Sequence, residues 1–216
     1  MNEIKIVNRK IGEKYSVFVI AEAGINHNGS FLIAKKLVNM AKKAGADCIK
    51  FQTHIVEEEM TKTKMLPGKI SKTPLWDIIK NCELTANEEK KLSEYCKKKK
   101  ILFLSTPFSI SAIDRLEKIK MPAYKIGSGE LTNIPFLKHI AKKKKPVILS
   151  TGMSNMEEIK FAVELFKKSK TPLSILQTTS EYPCEYKDIN LGVISKYKKK
   201  FKIPIGISDH SLVIYT

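Results

Sequence analysis

The segment Ala123-Tyr-Lys-Ile-Gly-Ser-Gly-Glu130 joins a short apolar run to a group of chemically active side chains. This pattern indicates a buried strand that opens into a tight loop, because glycine permits positive φ and a close approach of the backbone to a ligand. The Lys125 ammonium, the Ser128 hydroxyl, backbone N–H groups and the Glu130 carboxylate would then face a space that suits phosphate and a polyol. The alternative is an ordinary strand-to-helix turn in which Lys125 forms a salt bridge with Glu130.

Polar side chains follow each of seven apolar segments in the same way. The segments interpreted as strands are 17–21, 47–52, 101–104, 123–126, 146–149, 173–177 and 203–207. The polar residues at their carboxyl ends are Glu22, Lys50 with Gln52, Ser105 with Thr106, Lys125 with Ser128 and Glu130, Ser150 with Thr151, Thr178 with Thr179 and Ser180, and Ser208 with Asp209 and His210. In a barrel all of these ends meet at one mouth, whereas an open sheet needs such groups only beside its switch point. The pattern therefore favours a TIM barrel.

Helical segments separate the predicted strands. The helix starts are assigned to Ser30, to a capping box of Thr85 and Glu88, to Thr132, and to a capping box of Ser154 and Glu157; further helices are predicted near 111–119 and 191–199. The alternation of helices and apolar strands predicts an α/β fold with parallel strands. Residues 4–7 are predicted to form a short strand or flap, and residues 53–73 a long functional loop over the strand ends.

The chain length determines how much of a barrel is expected. The 216 residues are fewer than the roughly 250 of a typical TIM barrel. We therefore expect residues 1–216 to form a single α/β TIM (β/α)8-type barrel domain that is truncated after about seven strands. Two unpaired sheet edges would remain, which predicts low solubility or recruitment of a partner chain.

The formal net charge of +17 comes almost entirely from lysine. Arg9 and Arg115 are the only arginines, and the lysines stand in runs such as 97–100, 142–145 and 198–200. Nucleic-acid readout depends strongly on arginine, so the composition favours a solvated lysine-rich exterior and no nucleic-acid partner. The positive field would still attract anionic substrates.

The cysteines and the hydropathy pattern predict a cytoplasmic protein. Cys48, Cys82, Cys96 and Cys184 show neither CxxC pairing nor regular spacing, which favours reduced thiols over a disulfide framework or a zinc site. No apolar run reaches the length of a membrane span, and the first residues lack the apolar core of a signal peptide. No membrane partner is expected.

The polar strand ends have a definite chemical character. Two lysines and several hydroxyls suit a phosphate, while Glu22, Gln52 and Glu130 offer acceptors to a sugar. His210 is a candidate metal ligand, although an isolated histidine is more often a hydrogen-bonded structural residue. The histidines at 27 and 54 lie in strand-end loops and are weaker candidates, and the histidine at 139 is assigned to packing or surface.

Six segments, in order, resemble the signature segments of the sialic acid (N-acetylneuraminate) synthase family. They are Ala21-Glu-Ala-Gly-Ile-Asn-His-Asn-Gly29, Lys50-Phe-Gln-Thr-His-Ile-Val-Glu-Glu-Glu-Met60, Phe103-Leu-Ser-Thr-Pro-Phe108, Tyr124-Lys-Ile-Gly-Ser-Gly-Glu130, Leu149-Ser-Thr-Gly-Met153 and Gly206-Ile-Ser-Asp-His210. The resemblance implies condensation of phosphoenolpyruvate with open-chain N-acetylmannosamine to give N-acetylneuraminate and phosphate. It also implies a divalent metal, Mn²⁺ or Mg²⁺, and a homodimer.

The same resemblance assigns roles to individual residues. Phosphoenolpyruvate would be held by Lys50, Thr106, Lys125, Ser128, Ser150 and Ser208; the amino sugar would meet Gln52, Glu130 and Tyr182; His210 would bind the metal; and Glu22 would orient water or move a proton. Glu22, Lys125 and Glu130 are thus the expected catalytic residues. At Ser180, another expected substrate contact, the family often has asparagine.

Two further family features would follow Thr216, namely an eighth strand with a second metal-binding histidine and a C-terminal domain that resembles antifreeze proteins. That domain covers the active site of the partner subunit, and we expect it to be absent here. The segment after Lys50 resembles the N-acetylneuraminate branch more than the legionaminate or pseudaminate branches. Those branches, a 3-deoxy-sugar-acid phosphate synthase and a non-catalytic phosphate-binding remnant stay open as alternatives.

Overall fold

The structure, a computed structural model, describes residues 3–68 and 71–212. In chain order its strands and helices are β1 (Glu3–Ile6), β2 (Arg9–Gly12), β3 (Ile20–Gly24), α1 (Phe31–Lys43), β4 (Cys48–Thr53), α2 (Val56–Glu59), α3 (Leu75–Asn81), α4 (Ala86–Lys99), β5 (Leu102–Pro107), α5 (Ile110–Lys118), β6 (Tyr124–Ile126), α6 (Ile134–Lys142), β7 (Val147–Ser150), α7 (Met156–Lys168), β8 (Leu173–Thr178), α8 (Gly192–Phe201) and β9 (Ile205–Ser208). The chain divides into two compact units, Phe18–Met121 and a unit that combines Met1–Val17 with Pro122–Thr216.

The Phe18–Met121 unit contains a parallel sheet in the order β3-β4-β5. All but one residue of β4 and of β5 is buried, as expected for a parallel sheet covered on both faces. Helix α1 begins at Ser30, whose side chain accepts a hydrogen bond from the Ile33 N–H, as predicted. The predicted capping box of Thr85 and Glu88 also forms, at the start of α4.

The second unit contains a parallel sheet in the order β6-β7-β8-β9 and an antiparallel hairpin of β1 and β2. Helix α7 buries an apolar stripe of Ile159, Ala162, Val163 and Phe166. Residues 4–7 were predicted as a strand or flap, and β1 confirms a strand there, although the sequence pattern missed its partner β2.

The strand order bears on the fold class. In both parallel sheets each strand pairs with the next parallel strand along the chain, and the order within a sheet does not reverse. A doubly wound open sheet reverses its order at the switch point, whereas a barrel keeps the chain order. The α/β class with parallel strands is confirmed, while closure of a single, truncated barrel stays a prediction.

The first strand of this series begins later than the sequence predicts. Residues 17–21 form an apolar run, but β3 begins at Ile20, and Val17 and Val19 are 80% and 51% exposed. The Val19 N–H donates to the Asp47 carboxylate at 2.9 Å, and the Val19 carbonyl accepts from the Asp47 and Cys48 N–H groups. These contacts join Val19 to the start of β4 outside the regular ladder.

The loop predicted at residues 53–73 contains a short helix, α2, and α3 follows it from Leu75. Neither helix has a side-chain cap, so the usual sequence signal for a helix start is missing. The sequence pattern also placed two caps one residue too early. Asn133 caps α6 instead of Thr132, and Asn155 with Glu158 forms the capping box of α7 instead of Ser154 with Glu157.

Two predictions from the sequence concern the state of the cysteines and the presence of membrane-spanning helices. All four cysteines are buried free thiols, as predicted. Burial raises the pKa of Cys96 to about 12, which keeps this thiol protonated and unreactive. None of the helices described by the structure has the length and apolarity needed to cross a bilayer.

Candidate functional site

Lys50 is held at the carboxyl end of β4 by groups from both neighbouring strands. Its ammonium donates to Thr106 Oγ1 at 3.2 Å and forms an ion pair with the Glu22 carboxylate. Glu22 lies directly opposite Lys50 in the register, whereas Thr106 lies two residues beyond Leu104, the register partner of Lys50 on β5. Since alternate residues of a strand share a face, all three predicted site residues lie on one side of this sheet.

Lys125 is held in the same way in the other unit. Its ammonium donates to Ser150 Oγ at 2.6 Å and to the Ile126 carbonyl at 2.9 Å, and the residue is only 5% exposed. Ser150 lies two residues beyond Ile148, the register partner of Lys125 on β7. We call these two arrangements, Lys50 with Thr106 and Lys125 with Ser150, the lysine–hydroxyl clasps.

Gly152 brings two predicted phosphate contacts close together. Its N–H donates to Ser128 Oγ at 3.1 Å. A Cβ atom at this position would lie 2.9 Å from Ser128 Oγ and 3.0 Å from the Thr178 carbonyl oxygen, and it would overlap Ser180 Oγ. Only glycine therefore permits Ser128 and Ser180 to approach the backbone here. The 149–153 segment contains this glycine, but its sequence alone does not indicate that role.

Glu130 lies in a short 3₁₀ turn, Ser128–Glu130, directly after β6. Its carboxylate accepts a hydrogen bond from the Asn133 side-chain amide at 2.7 Å. Asn133 in turn caps α6 through its own oxygen, so the helix start fixes the position of Glu130.

His210 follows β9 and lies among polar groups of the same unit. Its Nδ1 is 2.7 Å from the Thr179 carbonyl oxygen, so this nitrogen carries the proton and donates it. Its Nε2 lies 3.3 Å from the Tyr182 hydroxyl and 3.4 Å from Ser208 Oγ, and the Tyr182 ring stacks on the imidazole with centroids 4.2 Å apart. Three predicted site residues, Tyr182, Ser208 and His210, thus come together.

The environment of His210 fits one metal ligand. A metal-binding histidine usually donates its other ring N–H to a carbonyl or carboxylate, as Nδ1 does to Thr179. In the part of the chain that the structure describes, no three His, Cys, Asp or Glu side chains form a group that would hold a metal ion. His210 can therefore supply one ligand, and any others would have to be substrate, water or groups outside the described residues.

Gln52 contacts His54, a histidine that the sequence makes only a weak candidate for a metal ligand. His54 Nε2 lies 3.1 Å from Gln52 Oε1, and His54 Nδ1 lies 2.8 and 3.0 Å from the two carboxylate oxygens of Glu59. The imidazole also stacks on Phe108 with ring centroids 4.5 Å apart. The spacing of Gln52, His54 and Glu59 fits no regular period. The contact of Glu59 with His54 depends on helix α2, which the sequence does not predict.

His27 is buried in the loop after β3. Its Nδ1 accepts a hydrogen bond from the Gly29 N–H at 3.1 Å, and its ring packs against Phe51 with centroids 5.9 Å apart. Burial lowers the pKa of His27, which keeps the imidazole neutral. These contacts assign His27 to the structure of the loop.

A buried polar network lies on the opposite face of the sheet from Lys50 and Thr106. Thr53 Oγ1 donates to the Glu89 carboxylate at 2.6 Å and lies 2.7 Å from Ser105 Oγ, so it links β4, β5 and α4. Arg115 lies 3.5 Å from Glu89 Oε2. Burial nevertheless raises the pKa of Glu89, because the charged form loses more hydration than these partners replace.

The predicted site residues thus form local groups within each unit. Glu22, Lys50 and Thr106 come together in one unit, with Gln52 on the same strand. In the other unit the groups are Lys125 with Ser150, Ser128 with Ser180, and Tyr182 with Ser208 and His210. Their convergence at one barrel mouth stays a prediction.

The curated relatives of this chain include sugar acid synthases and an uncharacterised protein. The chain is 43% identical over 215 residues to an uncharacterised protein of Methanocaldococcus jannaschii, covering 99% of this chain and 61% of that protein. It is 39% identical to the N,N'-diacetyllegionaminic acid synthase of Campylobacter jejuni, covering 91% of this chain and 61% of that enzyme. The chain therefore spans about three fifths of the length of these relatives.

Solved structures show the same relationship. The crystal structure of N-acetylneuraminic acid synthetase from Leptospira borgpetersenii, in complex with citrate, matches with a TM-score of 0.92 and 38% identity over 99% of this chain and 72% of that chain. A truncated 3-deoxy-D-arabino-heptulosonate 7-phosphate synthase from Thermotoga maritima matches with a TM-score of 0.71, 16% identity and coverage of 97% of this chain and 70% of that one. The latter likeness concerns the fold alone.

A family profile agrees with both comparisons. The profile of the NeuB family matches residues 37–216, which include both clasps, Gly152 and His210. Together with the identity to relatives along nearly the whole chain, this match shows that the chain belongs to the NeuB family.

Proposed function

We propose that this chain carries the phosphoenolpyruvate-binding part of a synthase that makes a nine-carbon sugar acid. C3 of phosphoenolpyruvate attacks the aldehyde carbon of an open-chain N-acylated amino sugar and forms the C–C bond, and the aldehyde oxygen takes up a proton. Water then adds at C2, and the C2–O bond breaks as inorganic phosphate leaves. Family membership supports this reaction class.

The observation that carries the proposal is the Lys125 clasp with its surroundings. A buried ammonium is costly unless fixed partners hold it, and Lys125 is held by Ser150 and the Ile126 carbonyl. In the same unit, Ser128 and Ser180 lie close to Gly152. Cationic, hydroxyl and N–H donors fixed in advance are the groups that stabilise a phosphate and the charge that develops during its departure.

The remaining residues take the roles that the family resemblance implies. In this proposal Lys50, Thr106 and Ser208 add contacts to phosphoenolpyruvate. Glu22, held at Lys50 and half exposed, orients the water that adds at C2.

The amino sugar meets Gln52, Glu130 and Tyr182, which offer hydrogen bonds to its hydroxyl and acylamino groups. Tyr182 is 66% exposed, so its side chain is accessible to a substrate.

A divalent cation fits the proposal through His210. The Nδ1 contact to Thr179 makes Nε2 the ring nitrogen that would bind a metal, in place of its contacts with the Tyr182 and Ser208 hydroxyls. When bound, Mn²⁺ or Mg²⁺ would supply Lewis-acid polarisation of the aldehyde oxygen. The described residues contribute the orientation of this imidazole through Thr179 and Tyr182.

Two versions of the proposal differ in the amino sugar that serves as substrate. The resemblance of the segment after Lys50 favours N-acetylmannosamine and hence N-acetylneuraminate, and the Leptospira structure is of a protein with that product. The Campylobacter relative favours a diacetamido sugar, as the name of its product indicates. Incubation of phosphoenolpyruvate with each sugar, followed by assay of phosphate and of the sugar acid, separates the two.

The phosphate site is tested by removing the charge of Lys125 while keeping its length. Lys125→Met is expected to weaken phosphoenolpyruvate binding, measured by calorimetry, by at least about a hundredfold, because a charged donor contributes roughly 3 kcal/mol at a buried site. Lys138→Ala, which removes an exposed lysine on α6, is the matched control and should bind normally. Unchanged binding by the Lys125→Met protein would place the phosphate site elsewhere.

A further inference from the structure

Three side chains of the Phe18–Met121 unit form a continuous chain that ends at Gln52. Glu59, on the last turn of α2, receives His54 Nδ1 with both of its carboxylate oxygens. His54 Nε2 contacts Gln52 Oε1 at 3.1 Å. The His54 and Glu59 side chains are each 5% exposed, so water does not compete for these contacts.

The geometry of the three groups determines how they pair. A carboxylate only accepts hydrogen bonds, so His54 Nδ1 donates to Glu59. On the other side of the ring, the atom of Gln52 that faces His54 Nε2 is the carbonyl oxygen of the carboxamide.

This arrangement has a consequence for Gln52. Its oxygen is occupied by His54, so its NH2 group is the end that remains for a ligand. Gly24 lies beside that end, because a Cβ atom built there would be in ordinary van der Waals contact with Gln52 Nε2, at 3.9 Å. Gln52 also lies two residues after Lys50 on β4, so both side chains leave the strand on the same face.

We propose that His54 and Glu59 are positioning residues that hold the Gln52 carboxamide with its NH2 group toward an acceptor oxygen of the amino sugar. This inference rests on the proposed function for the identity of the ligand, but the contact itself does not. The stacking of His54 on Phe108 holds the ring in the plane that the two hydrogen bonds require. The sugar group that Gln52 meets is then an acceptor, such as an acyl carbonyl or a hydroxyl oxygen.

His54→Phe tests the inference because phenylalanine keeps the ring that stacks on Phe108 and loses both nitrogens. The Michaelis constant for the amino sugar is expected to rise about tenfold, the equivalent of one lost hydrogen bond, while that for phosphoenolpyruvate stays unchanged. Glu59→Gln should raise the same constant, and the double variant should be no worse than His54→Phe, because both act through one contact. Glu58→Gln, an exposed acid on the same helix, is the control.

A spectroscopic measurement separates this contact from the enzymatic assignment. The chain has two glutamines, Gln52 and Gln177, so ¹⁵N-labelled glutamine gives two side-chain NH2 pairs. The Gln177 amide donates to the Ile189 carbonyl and serves as the internal reference. In the His54→Phe protein the Gln52 pair should shift and the Gln177 pair should not.

The outcomes are distinct. An unshifted Gln52 pair would overturn the positioning role, and so would equal increases in both Michaelis constants together with a lower melting temperature. A shifted pair in a protein that turns over no amino sugar would reject the proposed function and leave the contact intact. A shifted pair with a selective effect on the sugar supports both.

Discussion

Gly152 determines how closely Ser128 and Ser180 approach each other at the end of β7. Alanine at this position would press on the Ser128 hydroxyl and the Thr178 carbonyl oxygen, and only the two serine side chains can move away. We expect Gly152→Ala to weaken phosphoenolpyruvate binding by about tenfold, because the displaced Ser128 and Ser180 hydroxyls would no longer be oriented toward the phosphate. Calorimetric titration measures the change.

Gly192→Ala is the matched control for this substitution. No atom lies within 4 Å of a Cβ built at Gly192, the first residue of α8. Its binding should equal that of the natural protein. Equal affinities for the two variants would show that the serines beside Gly152 do not contact the phosphate.

Single residues were predictable from the sequence where their chemistry was distinctive and their strand position was clear. Lys50, Lys125 and their hydroxyl partners were identified because each follows an apolar run. The role of Gly152 was not predictable, because it depends on the absence of a Cβ atom next to side chains that are distant in sequence. The contact of His54 with Glu59 depends on the short helix α2, which has no side-chain cap that the sequence could have shown.

Glu88 and Glu89 are neighbours on α4, but the structure shifts their pKa values in opposite directions. Burial raises the pKa of Glu89 above its ordinary value of 4.5. Hydrogen bonds from Thr85, first from its backbone, lower the pKa of Glu88 below the same value. Because the two pKa shifts on α4 have opposite signs, substitution of each glutamate should change the pH dependence of stability in opposite directions.

For Glu89 the folded state binds the proton more tightly than the unfolded chain. Its contribution to stability is present below the ordinary pKa and is lost as the pH rises through the raised native value. Glu89→Gln stays neutral, so the free energy of unfolding of this variant, relative to the natural protein, should increase with pH over that window. Urea denaturation at a series of pH values measures it.

The Glu88→Gln variant should show the opposite slope. The natural carboxylate contributes stability above its ordinary pKa and loses it as the pH falls through the lowered native value. The variant should therefore be less stable than the natural protein at neutral pH, and the difference should shrink in acid. Parallel curves for the two variants would contradict the assigned directions.

Secondary structure was predictable where two kinds of signal agreed. The Thr85 box and the apolar residues Leu92, Tyr95 and Cys96, which follow it at helical spacing, indicate the same helix, and its start is confirmed. At α7, Ser154 and Asn155 can both cap a helix, and Glu157 and Glu158 both stand three residues after one of them. Backbone geometry, which the sequence does not display, selects Asn155.

The net charge of +17 acts on the molecule as a whole. We expect the Michaelis constant for phosphoenolpyruvate to rise with KCl concentration, because salt screens the attraction of an anion over about 10 Å at 0.1 M. The constant for a neutral amino sugar should stay flat. Sucrose at matched osmolality is the control, and a flat response to KCl for both substrates would contradict a role of the charge in substrate capture.

At the scale of the whole chain, the α/β class and the sequence of parallel strands followed from periodicity and polar strand ends. Barrel closure depends on contacts between distant segments, which local patterns do not encode. The family resemblance assigned in the sequence is confirmed by a profile that covers most of the chain.

The two lysine–hydroxyl clasps share one design, in which the hydroxyl stands two residues past the register partner of the lysine. Each clasp draws all of its bonds described here from a single unit. A substitution in one clasp is therefore expected to leave the bonds described for the other clasp unchanged.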